Sequence, residues 1–293
     1  MGTNSKIEWC DHTFNPWEGC TKVSPGCAHC YAAARDERFH KGIHWGPGAP
    51  RRRTSAAAWR QPLTWDRKAA DKGNLAPRVC CASLADWLDW EVPCAWRVDL
   101  LNLIEATPHI EWLLLTKRPQ SWDARLNEAM AAGSKLAYRW VTGSPPTNVH
   151  VGVSVEDQPR ANERRDVFKA IPAQFSFVSY EPALRPVEWS GWEFIDQLIC
   201  GGESGPCARP MHPAWAREAL AWCERSDVSF FFKQWGEWLP AHQMTKDRGQ
   251  RTGGSLARAV HTFPDGLSTY RVGKLCAGRM LDGVTWDQIP VPF

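Results

Sequence analysis

Short apolar runs rich in β-branched and aromatic residues recur along this chain, separated by longer segments of mixed polarity. They stand at 78–83 (RVCCAS), 111–118 (EWLLLTKR), 148–155 (NVHVGVSV), 174–182 (QFSFVSYEP), 194–203 (FIDQLICGGE) and 228–236 (VSFFFKQWG), with a further candidate strand in IEWCDHTFNP at 7–16. Nearly continuous apolar runs of strand length are what strands covered on both faces carry. The intervening segments have helical spacing; in PAWAREALAWCERSD, residues Trp215, Ala219, Trp222 and Cys223 share one face. Strands alternating with helices predict an α/β fold with a parallel sheet. A count of about seven strands favours a partial or complete parallel (β/α) barrel over an open doubly wound sheet. The expected organisation is a barrel over 1–239, a basic Trp-containing insertion within it at 37–77, and a small C-terminal extension at 240–293.

The predicted strands end in groups that a buried strand would not carry. Ser83 precedes Asp86, Thr116 precedes Lys117 and Arg118, and Ser154 precedes Glu156. Ser179 precedes Glu181, Gly201 and Gly202 precede Glu203, and Lys233 precedes Gln234. Any one such pair is ordinary for an exposed strand end. Their succession points to a shared polar pocket, because the C-terminal ends of parallel strands converge on the face where α/β proteins do chemistry.

The stretch EGCTKVSPGCAHCYAAA at 18–34 follows the first candidate strand and carries Cys20, Cys27 and Cys30 in a CxxxxxxCxxC array. Three readings stay open on the residues alone. Structural zinc needs a fourth ligand, which His12, His29 or His40 could supply. Buried free thiols explain Cys94 or Cys223 better than three thiols grouped among Gly, Pro and Ser. An iron–sulfur cubane normally takes four cysteines, so three would leave one iron open to an exogenous ligand.

Composition narrows the setting. A chain of 293 residues buries an ample core without disulfides, and its 11 Cys are an odd number. The beginning MGTNSKIEWCDHTF lacks the apolar core of a signal peptide, and no run reaches the roughly 18 apolar residues of a membrane helix. A reduced, cytoplasmic protein with no membrane partner is expected.

The segments FNPWEGCTKVSPGCAHCYA, LLTKRP, GVSVED, SYEPAL, CGGESG, FFKQWGEW and VGKLCAGRMLDGVTWDQIP resemble a phage-associated radical S-adenosylmethionine (radical SAM)-like family, from residue 7 almost to the C-terminus. The array departs from the common CxxxCxxC spacing of that superfamily. The tripeptide Gly201-Gly202-Glu203 also comes later in the chain than the corresponding Gly-Gly-Glu usually does. The resemblance implies a 4Fe–4S cluster on Cys20, Cys27 and Cys30, with S-adenosylmethionine chelated at the open iron. Auxiliary roles follow by charge. Glu203 or Glu181, with Gly201 and Gly202, would take the methionine ammonium, and Lys117 or Arg118 its carboxylate. Ser83, Thr116 and Ser154 would take the ribose hydroxyls or the adenine edge, and Glu156 is a further candidate contact to the cofactor. A flavodoxin- or ferredoxin-type protein would donate the electron.

Residues 35–72 hold ten Lys/Arg against four Asp/Glu, with Trp45, Trp59 and Trp65 interleaved. Cations neutralise phosphates and exposed aromatics stack on bases, so Arg51, Arg52, Arg53, Trp59 and Arg60, with Lys233, are candidate nucleic-acid contacts. The competing reading is a solvated loop whose tryptophans pack on the barrel. Lys246, Arg248, Arg251, Lys274 and Arg279 add charge near the C-terminus. The phage resemblance makes DNA the expected partner. The expected activity is remodelling of a hypermodified base, plausibly rearrangement of an aminoacyl-type substituent on thymine. A radical DNA-repair lyase and a zinc-stabilised, non-catalytic DNA-binding protein are the alternatives.

Overall fold

The computed structural model describes residues 2–3, 5, 7–72, 76–244 and 259–290. Lys246, Arg248 and Arg251 lie outside the described residues. The chain forms two compact units, residues 1–153 with 164–176, and residues 154–163 with 177–293. The boundary at 239/240 read from the sequence falls inside the second unit.

The first unit is built on a sheet whose order follows the chain. A short strand β1 (Gly2–Thr3) runs antiparallel to β2 (His12–Phe14). After β2 come β3 (Trp17–Glu18), α1 (Tyr31–His40), β4 (Arg52–Arg53), α2 (Ala56–Trp59) and α3 (Gln61–Lys72). The chain then enters β5 (Arg78–Cys81), which lies parallel to β2 with Thr13 opposite Cys80. Helix α4 (Cys94–Glu105) leads to β6 (Glu111–Thr116), and α5 (Trp122–Ala131) with α6 (Lys135–Val141) leads to β7 (Val149–Ser154). Both β5–β6 and β6–β7 pair in parallel. Each strand falls within its apolar run, because Val79, Leu113, Leu114, Val151 and Val153 are buried from both sides. Fully burying one such side chain contributes about 1.5–3 kcal/mol. The helical layer adds Trp87 stacked on Trp140 at 6.0 Å and Trp122 edge-on to Trp140 at 6.2 Å.

The stretch read as a basic insertion packs within this unit. Trp65 is buried and stacks on His12 at 4.4 Å, and Trp59 meets Phe14 edge-on at 5.5 Å. The apolar body of these rings covers the β2 edge of the sheet, so their interior placement follows from the same burial that drives the strands inward.

In the second unit, after α7 (Gln158–Lys169), β8 (Phe175–Tyr180), β9 (Gln197–Gly201) and β10 (Ser229–Gln234) are parallel, with Cys200 opposite both Tyr180 and Phe232. Helix α8 (Pro213–Ser226) connects β9 to β10 and buries Ala216, Ala219, Trp222 and Cys223, as its periodicity predicts, while Trp215 is half-buried. A small antiparallel sheet of β11 (Trp238–Pro240), β12 (Val260–Thr262) and β13 (Ser268–Arg271) follows. Parallel strands joined through helices thus define an α/β protein.

Candidate functional site

The cysteine loop begins where β3 ends, shortly after β2. Gly19 sits at φ 107°, and a Cβ there would strike the carbonyl of His44, so the chain passes beside the 44–46 segment only because residue 19 has no side chain. Cys20 then lies opposite Trp45 in an isolated bridge, and its carbonyl accepts from the Gly46 amide at 2.9 Å. Pro25 opens a 3-10 turn over Pro25–Cys27, Lys22 donates to the Ala28 carbonyl at 3.1 Å, and Cys30 stands at the N-cap of α1. The Tyr31 hydroxyl donates to the Ser83 carbonyl at 2.6 Å, tying the start of α1 to the end of β5.

A buried ionic network surrounds this loop. Ala82, just past β5, adopts a left-handed φ of 60° and turns the chain toward Ser83 and Asp86. The Asp86 carboxylate accepts from the Thr116 hydroxyl at 2.8 Å and from the Lys117 amide at 2.9 Å, and it pairs with Arg118 at 3.1 Å. Arg118 extends one amino group to the Cys20 sulfur at 3.4 Å and the other to the Thr21 carbonyl at 2.5 Å. Asp89 pairs with Arg51 at 2.7 Å and approaches Arg118 at 4.0 Å. Arg51 also donates to the Thr21 hydroxyl and to the carbonyls of His44, Gly46 and Ala49. On the other side of the loop, Glu18 pairs with Arg35 and Arg52, and Asp36 pairs with His44 at 2.8 Å.

The thiols feel this environment. Burial pushes Cys20 up to about 12, with Arg118 working against the shift and Asp86 with it. Burial also raises Cys30, opposed by the backbone amides of Ala33 and Ala32 at the start of α1 and by Lys117. Burial disfavours the Arg118 cation, but Asp86, Cys20 and Asp89 outweigh that cost and hold it above the ordinary arginine value. Three free thiols on one loop, with a guanidinium at one sulfur and helix amides at another, are a donor set chemically suited to an iron–sulfur cluster. Among the described residues, no group of three or more His, Cys, Asp or Glu is gathered in metal-holding geometry. Of the imidazoles weighed as a fourth zinc ligand, His12 stacks on Trp65, His29 is exposed, and His40 lies 3.9 Å from Glu18.

The first unit therefore brings together Cys20, Cys27, Cys30, Ser83, Thr116, Lys117 and Arg118. Ser83 exchanges hydrogen bonds with Asn15 at 3.1 and 3.3 Å. In the second unit, Ser154, Glu156 and Glu203 are buried. Glu203, named from the sequence with Glu181 as a candidate for the methionine ammonium, receives the Arg209 guanidinium and backbone amide at 2.5–2.8 Å. Glu181 pairs with Lys233 at 2.7 Å. Gly201 and Gly202 pack against Lys233 and the Trp235 carbonyl, and a side chain at Gly202 would strike that carbonyl.

Arg51 must be withdrawn from the nucleic-acid contacts. Its side chain is fully buried, because the fixed partners Asp89, Thr21 and three carbonyls satisfy the charge internally. Arg52 and Arg53 are partly exposed, Arg53 pairing with Asp99 at 2.7 Å and lying over the Trp59 ring, while Arg60 is exposed. Sequence reasoning missed Asp89, Asn15 and the His44–Asp36 pair. The one available signal was the i, i+4 spacing of His40 and His44.

Fold and site together define an α/β protein with a thiol loop at the C-terminal ends of its parallel strands. The chain belongs to DUF5131, a family described as proteins of unknown function, whose model matches residues 4–290. No curated protein and no solved structure matches it.

Proposed function

We propose that this protein is a radical SAM enzyme of the (β/α)-barrel type that remodels a modified base in phage DNA, with rearrangement of an aminoacyl-type thymine substituent as the preferred reaction. The observation that carries the reading is the placement of Cys20, Cys27 and Cys30 on one loop that follows β2 and β3, beside the ends of β5 and β6. Cys20, Cys27 and Cys30 would hold the 4Fe–4S cluster. When bound, the cluster supplies an electron that splits S-adenosylmethionine into methionine and a 5′-deoxyadenosyl radical, which takes a hydrogen atom from the substrate. The protein's own work is to hold the loop, orient the cofactor and exclude water. Lys117, half-buried at the end of β6, is the cation suited to the methionine carboxylate, since Arg118 is committed to Asp86 and Cys20. Exposed Arg60 and partly exposed Arg52 and Arg53 are the cations suited to DNA phosphates. A flavodoxin- or ferredoxin-type partner in the cytoplasm would deliver the electron.

Anaerobic reconstitution with iron and sulfide, followed by electron paramagnetic resonance of the reduced protein, tests this reading. The expected result is a cluster signal that changes on adding S-adenosylmethionine, followed by formation of 5′-deoxyadenosine when modified phage DNA is supplied. Binding of zinc alone, or a cluster indifferent to S-adenosylmethionine, overturns the radical mechanism.

A further inference from the structure

The sequence places Arg118 next to Lys117 at the end of β6, where both suit an anionic ligand. The structure separates them. Lys117 is half-buried, whereas the Arg118 guanidinium is 4% exposed and held from several sides. Its backbone amide donates to the Thr116 hydroxyl at 2.9 Å, and that hydroxyl donates to Asp86 at 2.8 Å. Asp86 in turn fixes the guanidinium at 3.1 Å, and the Thr21 carbonyl accepts from its second amino group at 2.5 Å. With these contacts made, one N–H points at the Cys20 sulfur, 3.4 Å away.

We infer that Arg118 is a positioning residue for the first thiolate of the cysteine loop: it fixes the backbone at Thr21 and donates a charge-assisted N–H···S hydrogen bond to Cys20. The inference rests on the radical SAM reading for its consequence at a cluster, but its geometric half belongs to the protein alone. A planar guanidinium suits both tasks because its donors diverge at fixed angles, so one group can grip a carbonyl and a sulfur together; a lysine ammonium has no such fork. Hydrogen bonds to ligand sulfurs are among the factors that set the reduction potential of an iron–sulfur cluster, and a nearby positive charge favours the reduced form. Asp86 acts one step further out by aiming Arg118, and Arg51 holds the same Thr21 from its side chain at 2.8 Å.

Two measurements test this, on wild type, Arg118→Met and Arg118→Lys. In the metal-free protein, hydrogen exchange of the amides of residues 18–22 is expected to accelerate at least tenfold in Arg118→Met, with the exchange of β5 and β6 unchanged. In the iron- and sulfide-loaded protein, a redox titration followed by electron paramagnetic resonance is expected to give a more negative potential in Arg118→Met and a smaller shift in the same direction in Arg118→Lys. Equal potentials in all three loaded proteins overturn the sulfur hydrogen bond, and unchanged loop exchange overturns the positioning role. If Arg118→Met does not load, wild type against Arg118→Lys decides the potential. If wild type itself takes up no cluster, the radical SAM reading fails, while the exchange comparison still decides whether Arg118 holds the loop.

Discussion

Strands β5 and β6 carry an arginine-centred cluster at each end, and the two are built on opposite electrostatic terms. Past their C-terminal ends, two buried guanidiniums, Arg118 and Arg51, meet two buried carboxylates, Asp86 and Asp89, at 2.7–4.0 Å. At their N-terminal ends, Arg78 of β5 and His150 of the neighbouring β7 each stand 3.7 Å from Glu111, the first residue of β6. Burial lowers Arg78, raises Glu111 and lowers His150 to about 4, so each group is pressed toward its neutral form. One end thus holds its charges by pairing them closely, while at the other burial works against the charged forms. Paired charge fixed beside a thiol is an arrangement that can tune chemistry. Loosely paired titratable groups in a core bear on stability, and on its dependence on pH.

Removing a thiol tests the charged end most severely. Cys27→Ala is expected to reduce bound iron to background and abolish the cluster signal, whereas Cys223→Ala, in the core beneath α8, is expected to keep both. Iron and sulfide analysis of the reconstituted variants reads the difference. Retention of a full cluster in Cys27→Ala would move the metal chemistry away from this loop.

Arg51→Ala comes next. It strips Asp89 of its 2.7 Å partner inside the protein, and breaking a buried pair from one side costs about 3–5 kcal/mol. A urea unfolding curve should show the midpoint falling with the slope unchanged. A loss below about 0.5 kcal/mol, the range of ordinary surface substitutions, would mean that Arg51 is not held as the structure has it.

The same residues show how far the sequence could be read. The strands were legible because their driving force is local: a run such as EWLLLT is dominated by apolar residues that leave water, and it forms β6. The site was legible only where spacing along the chain carries information, as in the CxxxxxxCxxC array. Arg118 and Cys20 are 98 residues apart, and Arg51 and Asp89 are 38 apart, so nothing local announces either contact. RRR at 51–53 reads as a solvated charge run because arginine is seldom fully buried without a partner, and the partner is visible only once β5 and the loop after it are folded. The tryptophans of the same stretch read equally as base-stacking groups or as sheet cover, and Trp65 on His12 is cover.

The N-terminal end of β5 and β6 has its own signature. The His150 pKa is depressed to about 4 by burial, with Arg78 adding to it, against 6.5 in the unfolded chain. Below pH 6.5 the unfolded state takes up a proton that the folded state refuses, so stability is full above that value and is lost as pH falls toward 4. The loss reaches about 3 kcal/mol for this one group. His150→Gln is expected to flatten that part of the stability profile, measured by urea unfolding at stepped pH. An unchanged profile in His150→Gln would put the pH dependence elsewhere.

The smallest effect separates buried arginine from surface arginine within one stretch. Arg60 follows α2 and is exposed, so Arg60→Ala should leave the unfolding midpoint within about 0.5 kcal/mol of wild type. If the exposed cations near β4 and α2 track a DNA backbone, the same variant should weaken binding at low salt and reduce the slope of log affinity against log salt by about one. Fluorescence anisotropy with a labelled oligonucleotide over a salt series reads both quantities. Arg51→Ala should do the reverse once its lower stability is allowed for, losing fold stability while keeping the slope, because its guanidinium already spends its donors on Asp89, Thr21 and three carbonyls. A changed slope in Arg51→Ala with none in Arg60→Ala would invert the assignment of interior and surface. A slope unchanged in both would remove this stretch from DNA binding and leave its tryptophans and arginines as sheet cover alone.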